Sequence, residues 1–408
     1  MKEKKWDLFA LASIPLAMTL GNSALIPVLP VMEKKLGISA FQASLIITVY
    51  SVIAIVLIPL AGYLSDRIGR KKVMIPSLIL AAAGGVISAW AAWKLEDPYV
   101  MILVGRFLQG AGAAGAFPVV LPTVGDMFKE EKEMSKGLGI IETANTFGKV
   151  LSPILGAALA VVIWYLPFVS IPILSLLSLV LIMKFVRTPE NSGEKQKKSF
   201  RQFIDGMKDT FKHNGRWLVA VFVIGCVNMF ILFSFLFHLS TLLESEYDIT
   251  GIMKGFILAI PLLFLCLASY MCGKKIGGNK TTMRSIILFS NGGGAIALAF
   301  INQEIGLVFM IMLLTAASIG IGLSLPCLDA LITDGISKEE RGTITSFYSS
   351  MRFLGVAAGP PLTAVLLKSI PGFLYFVFAV LSLFAALYTL WAIKPDKKQK
   401  AKRILAGI

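Results

Sequence analysis

Twelve apolar segments, each about long enough to cross a membrane, account for most of the chain. A helix needs about 20 predominantly apolar residues to span the hydrocarbon core of a bilayer. The segments show no period-2 alternation, and a lipid-exposed backbone must satisfy its own hydrogen bonds, so helices are favoured over barrel strands. The sequence predicts an all-α membrane protein whose spans 1–12 lie at residues 7–32, 41–62, 73–93, 98–122, 136–162, 165–187, 217–243, 250–272, 282–302, 305–331, 342–368 and 371–393.

The Lys and Arg residues predict which side of the membrane each loop occupies. Loops, tails and adjoining span ends on the side of the two termini hold 31 of the 39, those on the opposite side hold 5, and 3 lie deeper inside spans. Because cytoplasmic loops of membrane proteins are enriched in Lys and Arg, we expect a cell-membrane protein with both termini in the cytoplasm. The net charge of +15 therefore reflects topology and attraction to anionic lipid, whereas nucleic-acid binding would need a basic face.

The longest hydrophilic stretch, 188–216, divides the chain near its middle. We expect an N-terminal six-helix bundle (1–187), this central cytoplasmic loop, a C-terminal six-helix bundle (217–394) and a basic cytoplasmic tail (395–408). Apolar residues recur at helical spacing within the loop and predict a basic amphipathic helix on the inner membrane surface, with a solvated linker as the alternative. These residues are Phe200, Phe203, Ile204, Met207 and Phe211.

The two halves carry an internal repeat. PVVLPTVGDMFKEE begins at Pro118, and PCLDALITDGISKEE begins at Pro326, at an offset of 208 residues. GKVLSP ends at Pro153, and GVAAGP ends at Pro360, at an offset of 207. Because the matching segments occur in the same order and at nearly the same offset, they indicate that one half is a duplicate of the other. Two parallel six-helix halves, related by an axis along the membrane normal, are typical of transporters whose substrate site lies between the halves.

Residue patterns typical of enzymes are missing from the sequence. There are two histidines, without metal-ligand spacing, and four cysteines, without a Cys-x-x-Cys pair. The cysteines lie in or beside apolar segments and are expected to act as small apolar side chains. A nucleotide-binding GxxxxGK[ST] segment is also missing. We therefore expect neither an enzyme nor an ATP-driven pump, and no cofactor or metal.

Three segments resemble signatures of the major facilitator superfamily, in particular its twelve-span drug:proton antiporters. GYLSDRIGRKK, residues 62–72, matches the signature between spans 2 and 3, and LVGRFLQGAGAAG, residues 103–115, matches span 4. GLGIIETANTFGKVLSPILGA, residues 137–157, resembles the antiporter signature of span 5, with Ser152 and Ala157 in place of two glycines. Small residues allow close helix packing, and the packing positions we assign are Gly139, Gly148, Ser152, Pro153, Gly156, Gly355, Gly359 and Pro360.

The resemblance implies a conformational latch in the loop between spans 2 and 3. We place Asp66 in a short turn directly after span 2, with Gly62, Gly69 and Arg70 as the other latch residues. In transporters of this family the loop carboxylate is expected to hold the cytoplasmic side shut against the other half. Asp66 would meet the start of span 11 near Arg341, because helix N-termini attract anions. Asp126, at the end of span 4, is the expected partner of Arg70.

Ionisable residues inside spans are costly and indicate function. Arg106 lies inside span 4, and the resemblance implies that it serves proton coupling or holds span 1, where Asn22 is the candidate acceptor. His238, in span 7, titrates near neutrality; it is either a coupling residue or a satisfied core histidine. Asp329 is either a second proton-exchanging carboxylate or interfacial, and the interfacial position is favoured.

Span 5 and span 11 predict a polar cluster near the axis between the halves. Glu142 and Lys149 are two helical turns apart on one face, Asn145 lies between them, and the repeat places Arg352 opposite Asn145. The cluster could hold a proton, bind an anionic or zwitterionic substrate group, or form a salt bridge between the halves without a role in transport. Span 1 lacks the carboxylate after Asp7 that several related multidrug antiporters carry.

These features predict a secondary active transporter that works by alternating access and functions as a monomer. The favoured function is proton-coupled export of amphipathic compounds, as in multidrug efflux, and the span-5 resemblance implies export rather than import. The alternative is a dedicated proton-coupled exporter of an anionic or zwitterionic metabolite, such as a siderophore or a lipid-like product. Lys149 and Arg352 suit an anionic substrate better than a cationic drug.

Overall fold

The computed structural model is a bundle of helices that follows the apolar segments. It describes residues 4–128, 131–186, 200–276, 279–302, 304–336 and 338–394. All regular elements within these residues are helical. Span 1 consists of the helices Lys5–Ser23, Ile26–Val28 and Leu29–Leu36. Spans 2–12 are Ala40–Ile68, Arg70–Lys94, Tyr99–Met127, Glu131–Val162, Leu166–Phe185, Phe200–Ser245, Gly251–Lys275, Lys280–Ala299, Leu307–Gly335, Lys338–Ser369 and Leu374–Ala392.

Within the described residues, 11 of these helices are long and apolar enough to cross a membrane. Span 9 is the exception because Lys280, Arg284, Asn291 and three consecutive glycines lower its hydropathy. It still packs between spans 10 and 12 along its length. The predicted class, an all-α membrane protein of two pseudo-symmetric six-helix bundles, is confirmed.

Helix packing in the first half recurs in the second. Span 3 packs on spans 4 and 6, span 1 packs on spans 5 and 6, and span 2 packs on span 4. The corresponding pairs six spans later, 9 with 10 and 12, 7 with 11 and 12, and 8 with 10, are also in contact. The halves meet chiefly where span 2 packs on span 11 and span 5 packs on span 8. The relation that moves each span six positions along converts the contact of spans 2 and 11 into that of spans 8 and 5. A two-fold repeat requires this exchange.

The helix ends lie on two sides of the bundle. We call the end that holds Lys5, Arg70, Met127 and Phe185 the terminus side, and the opposite end, which holds Leu36 and Lys94, the far side. On the far side, one apolar core includes residues of both halves, among them Leu29 and Leu239. On the terminus side, each half has a largely separate core. The halves are thus sealed against each other by apolar packing on the far side.

Span 1 is broken at the level of the central pocket. Its first helix ends at Ser23, and a short 3-10 turn, Ile26–Val28, leads into the second helix. Proline removes a backbone donor and restricts the chain before it, and Pro27 lies in this turn. The Ile26 carbonyl accepts a hydrogen bond of 3.1 Å from Ser240 Oγ on span 7. The break therefore supplies a backbone acceptor that ties the two halves together.

The connection between spans 2 and 3 is tighter than expected. Span 2 continues to Ile68, so Asp66 lies in the helix and not in a turn after it, which corrects the sequence-based placement. The turn is the single residue Gly69, with φ +106°. L side chains rarely adopt this conformation, so glycine is required here. A Cβ added at Gly62 would lie 2.9 Å from Ser346 Oγ, because spans 2 and 11 approach closely at this point.

The helix of span 7 starts well before the predicted residue 217. Its backbone is helical from Phe200 to Ser245 without interruption. Residues 187–199 and the side chains of residues 200–210 lie outside the described residues. Of the predicted apolar face, the side chain of Phe211 is described, and it packs edge to face on Phe222 at the second-half core. The rest of that face and the domain boundaries at 187–188 and 394–395 stay predictions.

Candidate functional site

Span 5 presents three polar side chains toward spans 1 and 10–11. Asn145 is buried, and its amide nitrogen donates to the Glu142 carboxylate at 3.3 Å. Thr19 Oγ1 on span 1 donates to Asn145 Oδ1 at 2.7 Å. Asn145 thus fixes Glu142 relative to span 1. Lys149 lies one turn farther along, and its residue exposure is only 9%.

Asp329 and Arg352 face this part of span 5 from the second half. Arg352 Nη1 lies 4.0 Å from Asp329 Oδ1, and the exposed fractions of their side chains are 19% and 44%. The pair is therefore loose and open to solvent space, although it lies on two membrane spans. Asp329 faces the charged cluster and lies six residues before the terminus-side end of span 10, so its interfacial position stays a prediction. The position of Arg352 opposite span 5 could be inferred because the repeat offset pairs it with Asn145.

The four charges of the cluster interact with one another across the halves. Lys149 experiences the charges of Arg352, Glu142 and Asp329, and Asp329 experiences those of Arg352, Glu142 and Lys149. Among the described residues, the Lys149 ammonium has no hydrogen-bond or ion-pair partner within bonding distance. A buried cation without a bonded counter-ion is costly, so this arrangement favours the binding of an anion.

A small pocket lies beside Lys149, at the break in span 1. Its first-half wall is partly polar and includes Ser23, Lys149 and Ser152. Its second-half wall is apolar and consists of Leu232, Phe233, Leu236, Leu258 and Leu262. Binding pockets commonly combine an apolar lining with a few polar groups that fix orientation. The pocket has a volume of about 10 Å³, which is room for about one water molecule. It marks where an anionic group would meet Lys149 and an apolar part would meet spans 7 and 8, once the halves move apart.

Arg106 is fully buried and bonded to neutral groups. Its guanidinium donates to Asn22 Oδ1 on span 1, to the Ile46 carbonyl on span 2 at 2.7 Å, and to Gln109 Oε1. It also lies 4.5 Å from the Tyr50 ring centroid. The structure thus brings the expected pair Arg106 and Asn22 together. Because these bonds join spans 1, 2 and 4, their geometry fits an anchor for span 1.

His238 lies apart from the cluster, on the far-side part of span 7. Its Nδ1 is 2.7 Å from the hydroxyl oxygen of Tyr375 on span 12, and the two rings meet edge to face. Both polar groups are thereby satisfied within the second half. This geometry fits the satisfied core histidine, one of the two alternatives that the sequence left open.

The latch residues are brought together within the first half. Arg70 Nη2 lies 2.6 Å from Asp66 Oδ1, and Arg70 Nε lies 3.1 Å from Asp126 Oδ2. Arg70 also donates to Ser65 Oγ at 2.7 Å. These bonds tie the ends of spans 2 and 4 to the start of span 3. The expected contact of Asp66 with span 11 near Arg341 involves a side chain that lies outside the described residues.

A charged trio on the far side was not recognised in the sequence. Glu244, at the end of span 7, bonds Lys34 of span 1 at 2.8 Å and Lys254 of span 8 at 2.9 Å. The exposed fractions of the Glu244 and Lys254 side chains are 6% and 2%, whereas that of Lys34 is 71%. Lys254 three residues into an apolar span was the available signal. The Lys34–Glu244 bond joins the two halves.

Most of the assigned packing residues lie at close helix contacts. A Cβ added at Gly156 would overlap the Ala24 carbonyl of span 1, and one at Gly355 would overlap the Cys226 carbonyl of span 7. Gly148 and Gly359 are also tightly packed, against span 1 and span 7. Gly139 is a correction: it is exposed, and nothing lies within 4 Å of its Cβ position. Two residues earlier, a Cβ added at Gly137 would lie 3.4 Å from Leu8 of span 1, so Gly139 lies on a face of span 5 that points away from span 1.

The chain is similar to known proteins over nearly its whole length. Residues 11–358 and 282–407 match the model of the Major Facilitator Superfamily. The chain is 51% identical over 399 residues to the bacillibactin exporter of Bacillus subtilis, which covers 96% of this chain and 98% of that protein. It is 24% identical over 350 residues to the class G tetracycline resistance protein of Vibrio anguillarum, covering 84% and 85%.

A solved structure shares the fold. The crystal structure of the human organic anion transporter MFSD10 superposes with a TM-score of 0.73 at 17% identity, covering 95% of this chain and 99% of that one. At this identity, the likeness concerns the fold alone.

Proposed function

This chain belongs to the major facilitator superfamily, and we propose that it exports an anionic small molecule of the siderophore class. Members of the family are transporters and not enzymes, and this chain is a multi-pass membrane transporter. The resemblance seen in the sequence is thereby confirmed. This function is the dedicated exporter, one of the two functions that the sequence predicts.

The observation that carries the proposal is the unbonded Lys149 ammonium beside the central pocket. Arg352 adds a second cation whose ion pair with Asp329 is long, at 4.0 Å. A ligand anion can therefore gain charge-assisted hydrogen bonds from these cations without breaking a short internal ion pair. The pocket of about 10 Å³ must widen to admit the rest of the molecule, which would then contact the apolar wall of Leu232, Phe233 and Leu236.

The similarity to the bacillibactin exporter supports the siderophore class. The identity of 51% extends over 96% of the chain, so it covers both halves and the cluster between them. The tetracycline resistance proteins are related at about half that identity. We therefore take bacillibactin as the first probe.

We further propose that proton influx drives export. Glu142 and Asp329 are the carboxylates of the cluster, and each lies in the field of Arg352 and Lys149. A carboxylate that exchanges protons beside a substrate cation can link the two fluxes. The distribution of Lys and Arg supports cytoplasmic termini in the cell membrane, and the transport path between the halves of one chain supports a functional monomer.

Transport by the purified chain in proteoliposomes tests the proposal. With an inward proton gradient, bacillibactin should move against its own gradient and internal pH should change. Lys149→Gln should slow this transport roughly 10- to 100-fold, as expected for loss of a charged hydrogen bond. Lys368→Gln, at the exposed far-side end of span 11, is the matched control. Equal rates for Lys149→Gln and the wild type would reject the anion site.

The test of coupling uses the carboxylates. Glu142→Gln or Asp329→Asn should abolish the proton flux that accompanies transport, whereas substrate binding should persist. If both variants keep the wild-type ratio of proton to substrate flux, neither carboxylate carries the coupling proton.

Export of amphipathic compounds is the second candidate. The apolar second-half wall favours it, since five of the pocket residues there are Leu or Phe. Transport of tetracycline without transport of bacillibactin would establish this function instead. Lys149→Gln should then leave the rate unchanged, because transport would depend on the apolar wall and not on the ammonium group.

A further inference from the structure

Two arginines from different spans converge on the end of span 12. Arg216, on span 7, donates to the Trp391 carbonyl, and its guanidinium lies 4.1 Å from the Trp391 ring centroid. Arg284, on span 9, donates to the neighbouring Leu390 carbonyl at 2.9 Å. The last carbonyls of a helix lack partners within the helix, so this capping is favourable. It also gathers two cations at one point on the membrane-facing surface.

The helix end does not compensate these charges. A helix C-terminus carries about −0.5 of an elementary charge, which leaves an excess of about +1.5 beside two guanidinium groups. Among the described residues, Arg216 and Arg284 have no ion pair, and Arg284 Nε has no hydrogen-bond partner. Each guanidinium uses Nη2 to cap one carbonyl and has further N–H donors, so the two cations together can also bind an anion.

An aromatic stripe continues from this point along span 12. Trp391 stacks on Tyr388 with ring centroids 5.7 Å apart, and Tyr388 stacks on Phe384 at 5.4 Å. The three residues cover about 10 Å of helix at 1.5 Å per residue. Trp391 and Phe384 are 60% and 48% exposed on the outside of the bundle. The stripe thus runs from the interface toward the apolar interior of the membrane, where Trp and Tyr commonly mark the interface.

We propose that this surface binds an anionic phospholipid. The phosphate lies between the guanidinium groups of Arg216 and Arg284, and an acyl chain lies along Phe384, Tyr388 and Trp391. Arginine suits the phosphate because its planar fork can donate two parallel hydrogen bonds. The stripe selects a lipid over a soluble phosphate, which would have nothing to place against it.

The site lies outside the transport path. Spans 7, 9 and 12 all belong to the second half, and span 12 packs on both of the others. The bound lipid therefore links three spans of one half without crossing the boundary between the halves. Its expected effect is to stabilise the second half, independently of the substrate proposed above.

Lipid titration of the purified full chain in detergent tests the site. Binding of phosphatidylglycerol is followed by native mass spectrometry and by the shift in the melting temperature. Each guanidinium removed should weaken binding about fivefold, so Arg216→Gln with Arg284→Gln should weaken it roughly 30-fold. Phosphatidylcholine should bind no better to the wild type than to this double variant. Equal phosphatidylglycerol affinity in the double variant and the wild type overturns the proposal.

Two further arms distinguish a lipid site from general attraction to cations and from a site for a soluble anion. Lys94→Gln removes a matched cation, which lies 3.8 Å from the Trp93 ring centroid on the far side, and should not change the affinity. An equal loss of affinity in this variant would mean that any interfacial cation attracts the lipid, and the proposal would fail. Glycerol 3-phosphate carries the anion without the acyl chains. If it displaces the lipid at equal concentration, the site is one for a soluble anion and the proposal is wrong.

Replacement of both arginines by lysine is the control for a defect in folding. The Arg216→Lys, Arg284→Lys variant keeps the charge and should bind phosphatidylglycerol more tightly than the glutamine variant does. If both variants bind equally weakly and both melt at a lower temperature without lipid, the arginines only cap span 12, and the proposal is wrong.

Discussion

The two ends of the bundle use the same kind of ion pair for different purposes. On the far side, the Lys34–Glu244 bond crosses between the halves, and the Glu244–Lys254 bond is buried. On the terminus side, Asp66, Arg70 and Asp126 are joined within the first half, and the two carboxylates are 58% and 40% exposed. Among the described residues, ion pairs at the helix ends thus join the halves on the far side only. The far side is thus closed both by a shared apolar core and by an ion pair, whereas toward the terminus side the halves meet through helix packing, as where Gly62 approaches Ser346.

The largest effect should follow from Glu244→Gln. The change leaves Lys254 buried without its bonded carboxylate, with Glu33 as the remaining nearby negative charge. Breaking a buried pair in this way costs about 3–5 kcal/mol. We expect a lower melting temperature and an opened far side. Opening is measured by the rate at which a membrane-impermeant maleimide labels a cysteine introduced at Leu29, which is buried in the far-side core.

Glu246→Gln is the control for this change, because Glu246 is exposed two residues away. It should alter neither the melting temperature nor the labelling rate. If Glu244→Gln also leaves both unchanged, the trio does not hold the far side closed.

Glu244 also shows where the sequence was insufficient. In the sequence it begins the polar run ESEYD and looks like an ordinary helix-end charge. Its burial depends on span 1 crossing beside span 7, a tertiary contact that no local pattern reports. The Arg70–Asp126 and Arg106–Asn22 contacts, by contrast, follow from motifs with fixed spacing. The positions of the spans could be predicted from the apolar runs, because a run of about 20 apolar residues is enough to identify a candidate membrane-spanning helix.

The sequence-based predictions of a turn position for Asp66 and a packing position for Gly139 were wrong for a related reason. Apolar content ends near Gly62, but the helix continues to Ile68 through polar residues, since the part beyond the apolar run can be solvated. Gly139 fits a packing signature by its spacing, yet it lies on the exposed face of span 5, while Gly137 contacts span 1. Helix ends and crossing points are set by packing, which a single sequence does not specify.

A second prediction concerns the apolar replacement of the buried pair. Glu244→Leu combined with Lys254→Met removes both charges and fills their space, and such replacements are often neutral or stabilising. The free energy of unfolding of the double variant should lie within about 1–2 kcal/mol of the wild-type value. Its melting temperature should be well above that of either single variant. Far-side labelling should be slow, and transport should fall because the closed state no longer opens readily. A double variant as unstable as Glu244→Gln would show that the ion pair itself is needed.

Changes on the terminus side should affect transport more than stability. In Asp126→Asn, Arg70 keeps its bonds to Asp66 and Ser65, so the loss in the free energy of unfolding should be about 0.2–1 kcal/mol, as for exposed ion pairs.

Asp66→Asn should impair transport without abolishing substrate binding if Asp66 closes this side during the cycle. Binding and flux are measured on the same preparation. Loss of binding with normal flux per bound substrate would contradict the latch.

The smallest effect is expected for Lys34→Gln. Lys34 is 71% exposed, so water and salt screen its charge, and Glu244 keeps its buried partner Lys254. The cost should be about 0–1 kcal/mol at low ionic strength and should vanish near 1 M salt, where the Debye length is about 3 Å. The labelling rate at Leu29→Cys should therefore rise slightly in this variant at low salt and match the parent at high salt. A large, salt-independent rise would mean that the Lys34–Glu244 bond by itself holds the far side closed, and that the apolar core around it contributes little.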